Sequence, residues 1–387
     1  MIARRAQETL QRLAKGFLIL VITGPRQSGK TTLARMTFPD HRYISLEDLD
    51  ERAFALSDPK GFLARFDGKG VILDEVQRAP DLLSYLQTIN DLNPIMGRIV
   101  LTGSQQFGLM NALTQSLAGR AGLVQLLPLA LSEIAASQAL PSLDMILYQG
   151  LYPALYQRAI SAADWYASYV ATYVERDVRQ LLQVRDLAVF ARFLKLCAAR
   201  TGQLLNIASL ASDAGISQTA VKQWLSVLEA SYVLFMLQPY HENFGKRLTK
   251  TPKLYFHDTG LAAYLLGVHD ETQMNSHSAR PALFETLVVN ELLKQRWHNG
   301  KSSNLYFWRD HVGLEVDVLM SCADGLQAVE IRSGQTLASD WLSALNKWQG
   351  LASARALVPT LVYGGDESYV RQGVQCLGWQ SMGALGC

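Results

Sequence analysis

The sequence predicts an α/β fold built on a parallel sheet, because three apolar runs each resemble a buried strand that ends in small polar or acidic residues. The first run covers residues 17–22 and is followed by a glycine-rich loop and a helix-like segment from Thr32. The second covers residues 71–75 and ends in two carboxylates, and the third covers residues 98–105. This order along the chain is typical of a parallel nucleotide-binding sheet.

The loop after the first run carries the complete phosphate-loop pattern G-x-x-x-x-G-K-[ST]. Its glycines let the backbone wrap a polyphosphate, and the following helix directs its positive end at the phosphates. Lys30 supplies a cation for the outer phosphates, and Thr31 places a hydroxyl where Mg2+ is bound. A glycine-rich turn without a ligand is the alternative, which the flanking strand and helix signals oppose. The residues expected to bind the nucleotide are Gly24, Pro25, Arg26, Gln27, Ser28, Gly29, Lys30, Thr31 and Thr32.

The two carboxylates that end the second run have separate expected roles. Asp74 is expected to hold Mg2+ together with Thr31, as the acid at this strand end does in phosphate-loop enzymes. Glu75 is the candidate general base that polarises the attacking water. Two acids that cap a strand at a turn are the alternative.

Polar residues at the end of the third run are expected to meet the nucleotide. Ser104 or Thr102 is a candidate contact of the γ-phosphate or of the lytic water. Arg120, which follows shortly after, either stabilises charge on the transferring phosphoryl group from a subunit or domain edge or is a structural arginine.

Several segments together resemble one known family. These are G-P-R-Q-S-G-K-T-T-L, L-D-E-V-Q-R-A-P-D-L, L-T-G-S and S-L-A-G-R, and they look like prokaryotic AAA-type ATPases whose C-terminal part is a domain of unknown function 4143. The likeness continues through residues 173–178, 252–261 and 284–285. The resemblance implies a core that uses ATP rather than GTP, with Mg2+, and appended helical and nuclease-like parts.

The chain length of 387 residues allows two or three domains, and the patterns divide the chain into four parts. The predicted division is an AAA-type P-loop core at residues 1–130, a helical lid or connector at 131–200, a winged helix-turn-helix at 201–250 and an α/β restriction-endonuclease-like domain at 251–387. The helical part rests on apolar residues at three- and four-residue spacing. Within it, Arg176 and Arg179 either reach the nucleotide or lie on a solvated helix face.

The winged helix-turn-helix is predicted by a helix at residues 207–211, a turn at residues 214–216, a second helix with Ser217 as N-cap, and a strand at residues 232–237. The expected buried stripe of the second helix is Val221, Trp224, Leu225 and Leu228.

Two groups of polar residues make DNA or RNA a candidate partner. The second helix offers Gln218, Lys222 and Gln223 to base edges. Residues 246–253 then carry four cations, and these could contact phosphates with strongly salt-dependent binding. The alternative is a winged helix that only packs domains together. The four cations are Lys246, Arg247, Lys250 and Lys253, against the single acid Glu242.

The C-terminal part carries a constellation that resembles the PD-(D/E)xK nucleases. Glu285 lies on a predicted helix at residues 281–295, Asp317 lies on an alternating strand, and Glu330 and Arg332 end the next strand on one face. In an active nuclease the acids bind Mg2+ and a lysine activates water, but arginine is essentially never deprotonated. The alternatives are therefore an active nuclease, a degenerate frame used for binding or assembly, and a plain ladder of ion pairs.

Composition limits the remaining choices. The net charge of +2 predicts no general attraction to nucleic acid or anionic membranes, and no run reaches the roughly 18 apolar residues of a membrane span. Four scattered cysteines without a zinc-binding spacing predict reduced thiols, and the N-terminal segment does not resemble a signal peptide. These observations predict a cytoplasmic protein without a membrane partner. A homo-oligomer is compatible with an arginine supplied by a neighbouring chain.

Three functions fit this sequence. The first is an ATP-hydrolysing enzyme that couples turnover to a conformational change in a nucleic-acid-related process. The second is an ATP-gated switch with a catalytically inactive nuclease-like domain, and the third is a nuclease regulated by ATP.

Overall fold

The computed structural model describes residues 2–66, 68–92, 94–104, 119–174, 186–240, 242 and 248–385. Within it the chain forms two compact units. Unit 1 comprises Met1–Leu129, Ala230–Tyr232 and Arg296–Lys301, and unit 2 comprises Ala130–Glu229, Val233–Gln295 and Ser302–Cys387. Unit 1 is therefore discontinuous in sequence, since two short later segments belong to it.

Unit 1 contains a five-stranded sheet and the helices that cover it. Its strands are β1 (Ile19–Thr23), β2 (Arg42–Ser45), β3 (Val71–Asp74), β4 (Ile99–Gly103) and β5 (Ala121–Gln125). Its helices are α1 (Ala6–Leu13), α2 (Lys30–Thr37), α3 (Leu49–Ser57), α4 (Pro59–Ala64) and α5 (Leu82–Leu92).

The strand order of this sheet is β2-β3-β4-β1-β5, and every pairing is parallel. The α/β class with a parallel sheet, which the sequence predicts, is confirmed. β4 is inserted between β1 and β3, so the third predicted strand separates the strand before the loop from the strand with two carboxylates. Because parallel strands end at the same edge, Thr23, Asp74 and Gly103 meet there.

Two apolar cores, one on each face, hold this sheet in place. Alternate residues of β1 enter different cores, with Ile19 and Val21 on one side and Leu20 and Ile22 on the other. Each fully buried aliphatic side chain contributes about 1.5–3 kcal/mol relative to exposure. The central strands are thus fixed from both faces, which gives the loops at their carboxyl ends a rigid base.

The first part of unit 2 is mainly helical and contains a three-stranded sheet. Its helices are α6 (Leu131–Ala135), α7 (Leu143–Gln149), α8 (Ala154–Gln157), α9 (Ala162–Tyr169), α10 (Leu187–Ala198), α11 (Ile207–Ala214), α12 (Gln218–Ala230), α13 (Thr259–Leu265) and α14 (Glu271–Ser276). Its strands are β6 (Gln203–Leu204), β7 (Leu234–Leu237) and β8 (Lys253–Phe256), in the order β6-β8-β7. The sheet therefore extends past the predicted domain boundary at residue 250.

The helix pair α11 and α12 follows the predicted pattern closely. Gly215 lies in the left-handed region with φ 73° at the end of α11, and the Ser217 hydroxyl accepts from the Ala220 amide at 3.1 Å as the N-cap of α12. All four residues of the predicted stripe are buried: Val221, Trp224, Leu225 and Leu228.

Asp258 has a structural role in the segment P-K-L-Y-F-H-D-T-G-L, residues 252–261, which is one of the segments that carry the family resemblance. Its carboxylate accepts from the backbone amides of Leu151 and Leu261 and from the Tyr166 hydroxyl, so it caps α13 and ties it to the preceding helices. Burial raises the pKa of this carboxyl, and these hydrogen bonds oppose the rise. The residue serves the fold rather than a reaction.

The last part of unit 2 contains a six-stranded mixed sheet with the order β13-β14-β12-β11-β10-β9. β10 and β11 form an antiparallel hairpin, and β12 pairs with β11 in parallel. The elements are α15 (Arg280–Trp297), β9 (Leu305–Arg309), β10 (Glu315–Cys322), β11 (Gly325–Arg332), α16 (Ser343–Ala352), β12 (Thr360–Tyr363), β13 (Tyr369–Arg371) and β14 (Val374–Gly378).

Two composition-based expectations can be compared with the described residues. In that part of the chain no helix is both long and apolar enough to cross a membrane. Cys197 and Cys376 are buried free thiols, whereas Cys322 is disulfide-bonded, so the expectation that all thiols are reduced is wrong for Cys322.

Candidate functional site

The phosphate-loop sequence forms a tight turn between β1 and α2. Gly24 has φ 145°, and a Cβ there would lie 2.1 Å from the Leu126 carbonyl oxygen, so only glycine fits. Gln27 and Gly29 adopt left-handed conformations with φ 61° and 93°, and α2 begins at Lys30. The loop thus folds back over the amino end of α2, where backbone N–H groups and the helix dipole favour an anion.

Lys30 extends over this loop and is almost completely buried. Its Nζ donates to the carbonyl oxygens of Gly24 at 3.1 Å and Pro25 at 2.8 Å. Burial lowers the pKa of this ammonium to about 8, while Glu75 and Asp74 partly restore it. The side chain is therefore held in the loop, and its charge can be lost just above neutral pH.

Asp74 is held by three hydroxyl groups from three different elements. The Thr31 hydroxyl from α2 lies 3.0 Å from both carboxylate oxygens, and the Tyr43 hydroxyl from β2 donates to Oδ2 at 2.8 Å. The Thr102 hydroxyl from β4 donates to Oδ1. Burial first, and then the bond to Asp74, raises the pKa of Tyr43 to about 12. Asp74 and Thr31 therefore present adjacent oxygens of the kind that Mg2+ binds.

Glu75 forms a second polar group with Ser104 and Gln77 at the same edge. Its backbone adopts φ 57°, which costs a non-glycine residue about 1–2 kcal/mol. Its Oε2 accepts from the Ser104 hydroxyl at 3.2 Å and from the Gln77 amide, and that amide lies 3.4 Å from Ser104 Oγ. This strain turns Glu75 away from Asp74's partners and toward the end of β4.

Two further features of the loop fit a polyphosphate. The Ser28 hydroxyl is buried and has no hydrogen-bond partner among the described residues, so the loop contains an unused polar group. Arg4 donates to the carbonyl oxygens of Ser28 at 2.6 Å and Leu127 at 2.7 Å, which fixes the loop to the segment after β5.

The remaining loop residues lie at its rim. Arg26 forms an ion pair with Glu47 at 3.4 Å, and both side chains are substantially exposed. Thr32 is exposed and, with Thr31 and Tyr43, lines a cavity of about 660 Å3 beside α2. Arg26 and Thr32, which are both predicted nucleotide ligands, therefore lie at the edge of the loop.

Arg120 is not brought to this site. Its carbonyl oxygen accepts from the Ile19 amide, so Arg120 lies at the amino ends of β1 and β5. A strand of five residues at about 3.3 Å each separates it from the loop edge by roughly 17 Å. A catalytic role in the same chain is therefore wrong on geometric grounds, and only a role in a neighbouring chain stays a prediction.

Thr102 also differs from its predicted role. It is fully buried and bonded to Asp74, so it holds the carboxylate and is not available to a phosphate or water. Arg176 and Arg179 lie outside the described residues.

The residues predicted to contact nucleic acid are only partly exposed. Gln218, Lys222 and Gln223 are exposed on the face of α12 opposite its buried stripe, as predicted. Lys250 is exposed, but Lys253 is only 3% exposed and is occupied by carboxylates, so its predicted contact with phosphates is wrong. Lys246 and Arg247 lie outside the described residues.

The C-terminal constellation does converge in space. Arg332 pairs with Glu330 and lies 3.6 Å from Asp317, and the Lys253 ammonium links Asp317 with Glu285. Asp317 also accepts from the backbone amide of Ile331 at 2.8 Å. The four predicted residues Glu285, Asp317, Glu330 and Arg332 thus form one cluster in unit 2.

Burial governs the charges of this cluster. It raises the pKa of Asp317 to about 7, with Glu285 adding to the rise and Lys253 opposing it, and it raises the pKa of Glu330 as well. Burial also opposes the charge of Lys253, but the surrounding carboxylates outweigh it and raise the pKa of the ammonium. Among the described residues, no three or more His, Cys, Asp or Glu side chains are arranged to hold a metal ion.

Comparison with protein families assigns three segments of the chain. Residues 17–135 match an AAA domain, residues 140–272 match a domain of unknown function (DUF8612), and residues 280–382 match a domain of unknown function (DUF4143). The AAA match contains the loop, Asp74 and Glu75.

Two relatives extend this similarity over most of the chain. The uncharacterized proteins Rv2008c of Mycobacterium tuberculosis and Mb2031c of Mycobacterium bovis are each 32% identical over 338 residues, which is 86% of this chain and 74% of theirs. The chain belongs to the AAA-type P-loop ATPase family with a C-terminal domain of unknown function 4143. The phosphate loop of this family member is formed by residues 24–31.

Solved structures similar to this P-loop ATPase family member include two ATP-related proteins. The Walker-type ATPase PABY2304 of Pyrococcus abyssi covers 68% of this chain and 96% of its own length, with 17% identity and a TM-score of 0.45. AMPPCP-bound DnaA from Aquifex aeolicus covers 58% of this chain and 85% of its own, with 18% identity and a TM-score of 0.30.

Sequence reasoning missed several residues of both sites. Tyr43 lies on a short strand without any chemical motif, and Gln77 lies two residues beyond the carboxylate pair. Lys253 lies among other basic residues in the sequence, and Glu315 lies in a strand whose neighbouring strands the sequence does not reveal. The sequence alone therefore does not indicate that the two form an ion pair. Only the position of Gln77, two residues after Glu75, offered a local signal.

The pKa of Lys30 makes ATP affinity depend on pH. In the free protein half of the ammonium groups have lost their proton at pH about 8. Bound phosphates raise this pKa. Binding must therefore take up a proton above this pH, and we expect affinity to fall by about tenfold per pH unit until the pKa of the complex is reached. Calorimetric titration with ATP between about pH 7 and about pH 10 measures this fall. The upper limit lies near the ordinary pKa of lysine.

Lys30→Arg is the matched control for this experiment, because guanidinium keeps its charge over the same range. Its ATP affinity should be independent of pH above about 8. An equal fall in both proteins would show that another group titrates.

Replacement of Tyr43 by phenylalanine should leave the Asp74 carboxylate less firmly held, and so weaken Mg2+ binding, without unfolding unit 1. The variant lacks one of three hydroxyl donors to Asp74. A typical net hydrogen bond is worth about 1 kcal/mol, so the Mg2+ concentration needed for half-maximal ATP binding should rise about threefold to tenfold. Tyr85→Phe is the control, because Tyr85 packs against the apolar core of the same unit. It should leave this Mg2+ concentration unaltered.

Proposed function

We propose that the chain binds ATP with Mg2+ and hydrolyses it at the edge of the sheet in unit 1. One observation carries this proposal most directly. The hydroxyl of Thr31, the second residue of α2, lies 3.0 Å from both carboxylate oxygens of Asp74, the last residue of β3. Glu75 is the next residue along the chain. A passive phosphate-binding loop does not need a second carboxylate beside the metal position.

Binding is assigned to the loop residues 24–31 and to Lys30. The backbone N–H groups and the amino end of α2 hold the phosphates, and Lys30 moves its donors from the Gly24 and Pro25 carbonyls to the outer phosphates. Thr31 and Asp74 hold Mg2+, which when bound neutralises phosphate charge. Because Asp74 keeps the orientation set by Tyr43 and Thr102, little rearrangement is needed.

Glu75 is assigned the proton-accepting role. Its carboxylate can take a proton from a water molecule, while the Ser104 hydroxyl and the Gln77 amide fix its orientation. Gln77 Oε1 is buried and has no partner among the described residues, so it can accept a hydrogen bond from the same water. Ser104 thereby acts as a positioning group for Glu75.

Coupling of hydrolysis to a conformational change is assigned to Tyr232. Its hydroxyl donates to Thr23 Oγ1 at 2.8 Å and accepts from the Gln125 amide at 3.3 Å, directly before the loop begins at Gly24. Tyr232 adopts φ 56° and is followed along the chain by Val233 and β7. A shift of the loop would therefore act on the segment that joins α12 to β7.

Nucleic-acid binding is a second candidate function, favoured by the exposed face of α12. We infer that α10 to α12 and the sheet β6-β8-β7 form a winged helix-turn-helix, and that Gln218, Lys222 and Gln223 face DNA or RNA. With Lys253 withdrawn into the carboxylate cluster, Lys250 is the cation left for phosphates in the described part of residues 246–253. Binding should therefore be weak and strongly dependent on salt.

For the C-terminal domain we favour a PD-(D/E)xK-like frame without nuclease activity. Arg332 replaces the lysine of such a frame, and the carboxylates are neutralised by Lys253 and Arg332. This favours the ATP-gated switch over the ATP-regulated nuclease. The four-part division of the chain, its location in the cytoplasm and a homo-oligomer that brings Arg120 to a neighbour's site remain part of this proposal.

Glu75→Gln separates binding from hydrolysis. Because the variant keeps the size and polarity of the side chain but cannot accept a proton, turnover should fall by about 10²- to 10⁴-fold with ATP affinity retained. ATP affinity is measured by titration, and turnover by phosphate release in Mg2+.

Two further proteins complete this experiment. Asp81→Asn changes an exposed acid nearby and should hydrolyse ATP normally. Lys30→Ala should bind ATP poorly and release little phosphate. Normal turnover by Lys30→Ala would contradict the assignment of the site.

The nucleic-acid candidate is tested by duplex binding at low salt and by its effect on ATP turnover. Lys222→Ala should weaken binding of a labelled duplex and reduce the salt dependence by about one phosphate contact. Lys195→Ala, an exposed lysine on α10, is the control and should bind like the unaltered protein. Absence of binding and of stimulation in every protein would remove this candidate and leave the ATPase assignment intact.

A further inference from the structure

Two arginines at the nucleotide edge of unit 1 pair with the same carboxylate oxygen. Arg26 belongs to the phosphate loop, Glu47 lies two residues beyond β2, and Arg78 ends a short 3-10 helix that follows Glu75. Glu47 Oε1 lies 3.4 Å from Arg26 Nη2 and 3.8 Å from Arg78 Nη2. One carboxylate thus holds two guanidinium groups, which belong to the segments after β1 and β3.

Two acids that follow Glu47 are used by other contacts. Asp48 caps α3, because its carboxylate accepts from the backbone amides of Asp50 and Glu51 at 3.0 Å. Glu51 in turn pairs with Arg65 through both of its carboxylate oxygens. Of these three acids, Glu47 is therefore the one whose ion pairs reach the phosphate loop.

The ion pairs of Glu47 are weak. The side chains of Arg26, Glu47 and Arg78 are 27%, 53% and 44% exposed, and each guanidinium contacts Glu47 through one long ion pair. Exposed pairs of this kind contribute little to stability, whereas a guanidinium can bind a phosphate through two parallel hydrogen bonds. A phosphate group can therefore displace Glu47 from both arginines.

Both arginines lie next to groups that are assigned to the γ-phosphate. Burial is the main cause of the lowered pKa of Lys30, and the charge of Arg26 adds to it, so these two cations of the loop are close to each other. The Arg78 amide donates to the Glu75 carbonyl oxygen at 3.0 Å, so the turn that orients Glu75 also positions Arg78. Arg26 and Arg78 thus flank the cation for the outer phosphates and the base for the attacking water.

We propose that Arg26 and Arg78 form a clamp for the γ-phosphate of ATP, and that Glu47 occupies this clamp until the phosphate displaces it. The clamp rests on the proposed function, since it requires ATP in the phosphate loop. Its positive charge comes from the same chain, which the position of Arg120 does not allow for that residue. ADP lacks the γ-phosphate and leaves Glu47 between the arginines. The clamp therefore makes the site distinguish ATP from ADP, as an ATP-gated switch requires.

Replacement of Arg78 tests the clamp by binding alone. The full chain is titrated calorimetrically in Mg2+ with ADP and with AMPPCP, an ATP analogue that keeps the γ-phosphate and resists hydrolysis. Arg78→Ala should bind AMPPCP about tenfold more weakly and ADP with unchanged affinity, because a hydrogen bond between charged groups is lost only with the former. Lys69→Ala, which removes an exposed cation just before the start of β3, should bind both nucleotides like the unaltered protein.

Removal of the competing acid should change the affinity in the opposite direction, which a misfolded variant cannot imitate. Glu47→Gln keeps the size of the side chain but loses the charge that holds the arginines. It should bind AMPPCP about threefold more tightly, as expected when an exposed ion pair no longer competes, and ADP as before. Glu8→Gln, which alters an exposed acid on α1, is the control and should change neither affinity.

Three results would contradict the clamp alone. Arg78→Ala could retain its full AMPPCP affinity, or it could lose affinity for AMPPCP and ADP equally, which indicates a structural role. Glu47→Gln could gain equally for both nucleotides, which indicates that Glu47 repels the whole nucleotide. Each of these leaves the proposed function standing, because both nucleotides still bind. Failure of the unaltered protein to bind either nucleotide overturns the proposed function and the clamp with it.

Discussion

The carboxylate of Asp74 is the contact on which the nucleotide edge of unit 1 depends. Hydroxyl groups of Thr31, Tyr43 and Thr102 converge on it from α2, β2 and β4. Hydrogen bonds to a charged group are worth about 1.5–3 kcal/mol each, so one carboxylate holds three elements in register. The inserted position of β4 makes this possible, because it brings Thr102 next to the end of β3.

The two acidic sites of the chain differ in the groups that contact their carboxylates. Asp74 is surrounded by neutral hydroxyl donors, which hold the carboxylate without cancelling its charge and leave it able to attract a metal ion. The carboxylates around Lys253 are met by an ammonium and a guanidinium, which cancel charge directly. Similar residue types therefore give a site suited to metal in one unit and an ion-paired one in the other.

Features encoded by neighbouring residues could be predicted from the sequence, and those that depend on strand order could not. The phosphate loop, the Asp74–Glu75 pair and the Ser217 cap each rest on a few consecutive residues. Arg120 looked close to the site because it follows Ser104 by 16 positions, but the direction of β5 carries it to the far edge. Lys253 looked like one of four surface cations, yet it begins a buried strand and meets residues more than 30 positions away.

Unit 1 is closed by residues that come late in the chain. The segments Ala230–Tyr232 and Arg296–Lys301 belong to it, and the former supplies the hydroxyl that bonds to Thr23 just before the loop. During synthesis the sheet and its loop emerge from the ribosome long before these segments do. Unit 1 therefore reaches its final form only after residue 301 has been made. A chain released earlier carries the full phosphate-loop sequence on an incomplete unit.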